Sequence, residues 1–127
     1  KSKSFSVECR TNQSASERLT IQFLELLERQ FPIEERFQIL KYSTASNFAK
    51  QLNVHVNHLN KSVKETTEKT TTQIIKERIA QEAKILIRYN SWNFSEIAYS
   101  LGFKEVTYFN NFFKKATKLT PTQYRNI

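Results

Sequence analysis

Two runs of polar side chains could do chemistry in this sequence. Asn57, His58, Asn60, Lys61 and Lys64 fall along one helical edge, and Asn110, Asn111, Lys114 and Lys115 fall along a second. An Asn amide can accept from adenine N6 and donate to N7, and a lysine ammonium neutralises phosphate, so these types suit recognition of a polyanion. The plainer reading of Asn60, Lys61, Asn110 and Asn111 is a solvated helix edge. No nucleophile–base pair, Gly-rich phosphate loop or carboxylate dyad stands out, so neither catalysis nor a cofactor is expected. His55 and His58 lie three apart, but no Cys or third ligand is in reach, so no metal site is expected. Phe103, Tyr108, Phe109, Phe112 and Phe113 recur at helical spacing and are expected to form core rather than to stack on bases.

The later run sits in the stretch from Trp92 to Tyr124, around the single glycine, Gly102. Ile97, Ala98 and Leu101 make an apolar face before it, and Phe109, Phe112 and Phe113 make another after it. Asn93 with Glu96 three residues on reads as a capping box. Gly102 then ends the short helix in a left-handed turn, where a Cβ would be penalised, and Ala98 is small enough for two helices to cross closely. Trp92 is expected to pack the lobe. A helix, a tight turn and a helix with a basic edge is the layout of a helix-turn-helix.

The earlier run repeats this layout. Shifted from 48 to 97, Phe48-Ala49, Leu52, Asn53 and Val54 overlie Ile97-Ala98, Leu101, Gly102 and Phe103. Shifted from 59 to 109, Leu59-Asn60-Lys61, Val63-Lys64 and Thr67 overlie Phe109-Asn110-Asn111, Phe113-Lys114 and Thr117. Thr70, Thr72 and Gln73 likewise match Thr120, Thr122 and Gln123, and the one-residue slip falls in the turn, where insertions disturb least. The first copy is expected to comprise a helix from an N-cap at Ser43 to Leu52, a turn at Asn53 and a helix over about 55–64. Thr66–Thr72 is expected to be a turn and helix start. Between the copies a helix over 72–89 carries Ile75, Ile79, Ala83 and Leu86 as its main stripe, widened by Ile74, Ile85 and Ile87.

Composition agrees with an all-α chain: one Gly and two Pro in 127 residues leave little room for strands joined by tight turns. The net charge is +8, and residues 44–127 hold 13 Lys/Arg against 6 Glu, whereas 1–43 hold 7 against 6. That field favours a polyanion. No apolar run approaches the ~18 residues that span a bilayer, and no signal-peptide pattern opens the chain, so a cytoplasmic protein without membrane contact is expected. Cys9 is single, which excludes an internal disulfide. A start at Lys1 with no Met anywhere suggests a piece of something longer. Residues 1–15 read as a loose polar lead-in. A helix from Ser16 with Leu19, Phe23, Leu26 and Leu27 on one face should stop at Phe31-Pro32. Residues 33–42 have no clear period, and the leader up to 43 either packs on the domain behind it or is the stump of another domain.

The residues Ile97-Ala98, Leu101-Gly102-Phe103, Tyr108-Phe109, Phe112-Phe113-Lys114-Lys115, Thr120-Pro121 and Tyr124-Arg125, with Arg78 and Ala83, carry a resemblance to a known family. The chain over about 44–127 resembles the C-terminal DNA-binding domain of AraC/XylS-type bacterial transcription regulators. The resemblance implies two helix-turn-helix subdomains (44–71 and 92–127) joined by the long helix 72–89, with double-stranded DNA as partner. By position, the base-facing candidates are Asn57, Asn60 and Lys61 in the first lobe and Val106, Thr107, Asn110 and Asn111 in the second. His58 is a DNA or solvent contact, and Lys64 and Lys114 are phosphate contacts. RNA polymerase and a sensor domain in the parent chain are further implied partners, and this fragment is expected to be monomeric. Three departures stand out: Glu68 and Lys118 occupy positions often taken by glycine, an Arg common at the position of Asn111 is absent, and Glu105 places a negative charge near the start of a DNA helix. The alternative function is a helical interaction module whose basic face meets an acidic protein.

Overall fold

Capping side chains decide where most of the helices begin. The computed structural model describes residues 14–36 and 38–127. What the sequence suggests for residues 1–13, Cys9 among them, and for Phe37 lies outside the described residues. Within them the helices are α1 (Ala15–Arg29), α2 (Ala45–Gln51), α3 (Val56–Thr67), α4 (Thr71–Tyr89), α5 (Phe94–Ser100), α6 (Val106–Thr117) and α7 (Pro121–Arg125), and there are no strands. Capping boxes open α1 (Ser14/Glu17), α2 (Thr44/Asn47), α4 (Thr70/Gln73), α5 (Asn93/Glu96) and α7 (Thr120/Gln123). Each satisfies two amide donors that the first turn would otherwise leave unpaired.

Several boundaries differ from the sequence reading. Thr44, not Ser43, caps α2, because Asn47 Oδ1 accepts from the amides of both and pulls the chain into the cap one residue later. α3 runs three residues past Lys64, to Thr67, and His55 is its N-cap rather than part of the helix. Residues 30–43 form no helix among those described; the chain is held instead by Gln30, whose side chain accepts from the Lys41 and Tyr42 amides and donates to the Tyr42 carbonyl.

The leader packs on the domain behind it. Leu19, Phe23 and Leu27 of α1 share one hydrophobic core with Phe48, Leu59, Val63 and Ile75, and the Phe23 and Phe48 rings meet edge to face at 5.1 Å. Thr20 Oγ1 donates to the Ser62 carbonyl (3.1 Å), fixing α1 along α3. Beyond α1 the chain is tied to both halves of the molecule. The Ile33 amide donates to Glu82 Oε2 at 2.8 Å, the Leu40 amide donates to the Ser100 carbonyl at 3.0 Å, and Arg36 pairs with Glu96 at 3.1 Å. Glu82 is only 1% exposed; Arg78 reaches its other oxygen, bonds Glu28, and stacks its guanidinium 4.0 Å from the centre of the Phe31 ring. A buried carboxylate needs such partners because desolvation is otherwise uncompensated.

α4 is the shared strut. It packs on α2, α3, α5, α6 and α7, burying Ile75, Ile79, Ala83, Leu86 and Ile87. Nineteen residues at about 1.5 Å each make it roughly 28 Å long. Ile85, expected to widen the stripe, is 40% exposed, since it lies on the flank turned away from both cores.

Candidate nucleic-acid interface

The two turns match bond for bond. In the first, the Leu52 amide donates to the Phe48 carbonyl and the Val54 amide to Ala49; in the second, Leu101 donates to Ile97 and Phe103 to Ala98. Between them the chain turns through positive φ, +59° at Asn53 and +91° at Gly102. A Cβ on Gly102 would meet nothing within 4 Å, so the demand for glycine is one of backbone conformation alone. Asn, which tolerates left-handed geometry, meets the same demand at the first turn.

The helices after these turns, α3 and α6, are both 12 residues long and end alike. Thr67 Oγ1 and Thr117 Oγ1 donate to the carbonyls four residues back, Val63 and Phe113, and accept from the Lys69 and Leu119 amides. The chain leaves each through a left-handed residue, Glu68 (φ +67°) and Lys118 (φ +72°), whose amides bond the Lys64 and Lys114 carbonyls. Both positions that often carry glycine therefore keep glycine-like geometry with other residues in place.

Asn57, His58, Asn60, Lys61 and Lys64 are exposed on α3, and Thr107, Asn111 and Lys114 are exposed on α6. Their spacing gives each helix a matching outer row: Asn57, Lys61 and Lys64, then Thr107, Asn111 and Lys114. No carboxylate among the described residues pairs with Lys61, Lys64 or Lys114, though Lys64 Nζ also donates to the Glu68 carbonyl at 3.2 Å. Two expected base-facing residues sit differently. Val106 is half-buried against the core, and Asn110 is half-buried with its Oδ1 enclosed and unpartnered. Both lie on the side of α6 that Phe109 and Phe113 turn inward.

Tyr108 departs from the sequence expectation. Grouped by type with the core aromatics, it is 56% exposed on the outer face of α6, beside Thr107 and Asn111. Its neighbour Phe109 points straight inward, and the 100° between successive helical residues carries Tyr108 away from the seam. Phasing α6 on Phe109 and Phe113 alone would have found it. His55, though exposed, serves as a cap: its Nδ1 accepts from the Asn57 amide at 3.1 Å at the start of α3. Glu105 holds the equivalent place before α6 but makes no side-chain cap bond. Arg125, one of the residues that carry the family resemblance, has a structural place. It donates to the carbonyls of Ile87, Asn90 and Trp92 and lies over the Phe94 ring, closing the end of α4 against α7.

A family model described as a helix-turn-helix domain matches residues 48–127, both turns included. The chain belongs to the AraC-type helix-turn-helix family. As a member of that family it is a DNA-binding domain of the transcription-regulator type. Among curated proteins, it is 32% identical over 102 residues to histidine kinase P4 of Formosa agariphila, which takes in 80% of this chain and 7% of that protein. It is 39% identical over 69 residues to an HTH-type transcriptional regulator in the cgkA 5' region of Pseudoalteromonas carrageenovora, over 54% of this chain and 40% of the relative. The chain thus spans well under half the length of either. Among solved structures, the C-terminal domain of AraT, a response regulator from Geobacillus stearothermophilus, matches with a TM-score of 0.74 and 22% identity over 89% of this chain and 88% of that one. The DNA-binding domain of AdpA, solved with a target DNA, matches with a TM-score of 0.66 and 14% identity over 84% of this chain and 89% of that one. This AraC-type domain has no helix among the described residues that is long and apolar enough to cross a membrane.

Proposed function

We propose that this domain reads a specific double-stranded DNA sequence at a bacterial promoter, placing α3 and α6 in successive major grooves on one face of the duplex. The observation that carries the reading is the pair of matching outer rows, Asn57/Lys61/Lys64 and Thr107/Asn111/Lys114, on two helices braced by the same strut. A strut of roughly 28 Å suits sites one DNA turn, about 34 Å, apart. Asn57, Asn60, Lys61, Thr107 and Asn111 are the base readers, with Tyr108 and His58 beside them, and Lys64 and Lys114 neutralise phosphates. Asn110, half-buried, contributes less than Asn60, and Val106 positions the helix rather than reading a base. Likeness to part of a protein named as a histidine kinase supports a parent chain in which a sensor feeds this domain; RNA polymerase is the downstream partner that regulation of a promoter would call for.

The test is selection of duplexes from a random pool, followed by footprinting. Two protected clusters one helical turn apart are expected. Lys61→Ala should relax preference in one and Asn111→Ala in the other, by about 1–3 kcal/mol each. Lys64→Ala and Lys114→Ala should weaken all sequences alike and flatten the salt dependence by about one unit each. A single cluster indifferent to Lys61→Ala would reduce the reading to one lobe, and weak, sequence-blind binding would point instead to an acidic protein partner.

A further inference from the structure

The repeat breaks down beside the second recognition helix. In the first half, the flank of α3 at Ser62 and Glu65 is closed by α1, through the Thr20 and Ser16 hydroxyls. The matching flank of α6, at Phe112 and Lys115, faces α4, and there an open groove of about 870 Å³ remains between the two helices. Phe112 and Ala80 contribute to its lining, and Lys76, Lys84 and Lys115 project from its walls. Among the described residues no carboxylate pairs with any of these three lysines. The one acidic residue in the lining, Glu77, is already paired with Lys69 at 2.9 Å. The groove is therefore net positive in a place where the first half has a packed helix and a glutamate.

Position selects the occupant. The groove lies between α4 and α6, and Lys115 belongs both to its rim and to the exposed face of α6, one turn from Asn111. The lysine rim is continuous with the outer row of α6 and complementary in charge to a phosphate backbone. We infer that the α4–α6 groove seats the phosphodiester backbone linking the two major-groove sites, with Lys76, Lys84 and Lys115 as phosphate contacts. The inference rests on the two-groove reading proposed for this domain. It makes the strut part of the DNA interface, so that the domain senses the path of the backbone between its sites as well as the bases within them.

The experiment uses a duplex selected by this chain and a variant carrying Lys76→Gln, Lys84→Gln and Lys115→Gln. Loss of up to three phosphate contacts should lower the slope of log affinity against log salt by about 2–3 units while both footprinted clusters keep their base preferences. Neutral methylphosphonates placed between the clusters should weaken the parent chain and leave the triple variant nearly unaffected. The melting temperature of the variant should match the parent, since all three are exposed. A triple variant with unchanged slope, on a duplex still protected at both clusters, overturns the groove as a backbone seat and leaves the two-groove reading intact. Capture of an acidic peptide with no effect on DNA would overturn it as well. A chain that selects no duplex overturns both.

Discussion

The matching helices α3 and α6 share their length, their left-handed exits and their threonine stops, yet they are held in place by different means. α3 has modest core residues, Leu59 and Val63, and gains its aromatic packing from Phe23 and Phe48 on α1 and α2. α6 carries its own aromatics. Phe109 lies 5.6 Å from Phe103 and 5.9 Å from Phe113, and Phe113 meets Tyr124 at 5.5 Å. The reason is the supply of neighbours. α3 has α1 packed along its flank, whereas α6 must lean on α4, which is already packed against the first half. A helix with half a neighbour needs larger side chains of its own, and it keeps one flank open. The same turn chemistry can thus be supported from outside or from within, and only the second arrangement leaves a groove.

The sharpest way to break this comparison is to remove the internal support. Phe113 and Val63 occupy equivalent, fully buried positions. Phe113→Ala should destabilise by about 3–5 kcal/mol, against about 2 kcal/mol for Val63→Ala, measured by urea denaturation. Equal losses would mean that α6 does not depend on its own aromatics.

The turns offer a second test. Gly102→Val should destabilise by more than about 1 kcal/mol and carry DNA binding down with it, because a β-branched residue resists positive φ. Gly102→Asn should be much milder, since Asn53 already serves at the matching place and no neighbour blocks the side chain. If Asn proves as harmful as Val, the two turns are not equivalent. At the helix exits the sign reverses: Glu68→Gly and Lys118→Gly should each raise stability, by up to about 1 kcal/mol, through relief of the left-handed penalty. Unequal gains in thermal melts would show that one exit is strained and the other is not.

The smallest effect concerns the caps of α2 and α5. Both are boxes, but the third residue is neutral Asn47 in one and acidic Glu96 in the other. The Asn93 backbone amide holds the Glu96 carboxyl below its ordinary value near 4.5, against an upward push from burial, and Arg36 adds to the lowering. A lowered folded value stabilises above the unfolded value and is lost as pH falls through the folded one. Acid should therefore loosen the start of α5 before that of α2, seen as earlier loss of amide protection at Glu96 than at Asn47 in hydrogen exchange. Glu96→Gln should remove the difference. Identical acid response at both helices, in the unmodified chain, would rule the carboxylate out as its source.

Much of this architecture is legible in residue spacing. The register between Phe48-Ala49 and Ile97-Ala98 reports a duplicated turn because the positions that must be apolar, small or left-handed in a helix-turn-helix are few and close together. Caps such as Asn93/Glu96 are local too, and so is the positive φ at Asn53 and Gly102. Less local features are harder to read. Residue type groups Tyr108 with its aromatic neighbours although helical phase parts them, and Asn110 reads as polar and outward although it is partly buried with its Oδ1 enclosed. Both mismatches arise where a side chain lies near the boundary between two faces, which periodicity blurs.

The all-helical class, the two turns and the basic outer rows therefore follow from sequence alone, since all of them depend on contacts within a few residues. Tertiary structure decided the rest. It placed α1 against α3, bound Ile33 to Glu82 and Leu40 to Ser100 across long separations, and put Arg125 to work on the end of α4. It also left Lys76 and Lys84 on one wall and Lys115 on the other wall of an open groove. Such pairings join residues tens of positions apart, and no periodicity along the chain encodes them; they exist only once α4 has to serve two cores at the same time.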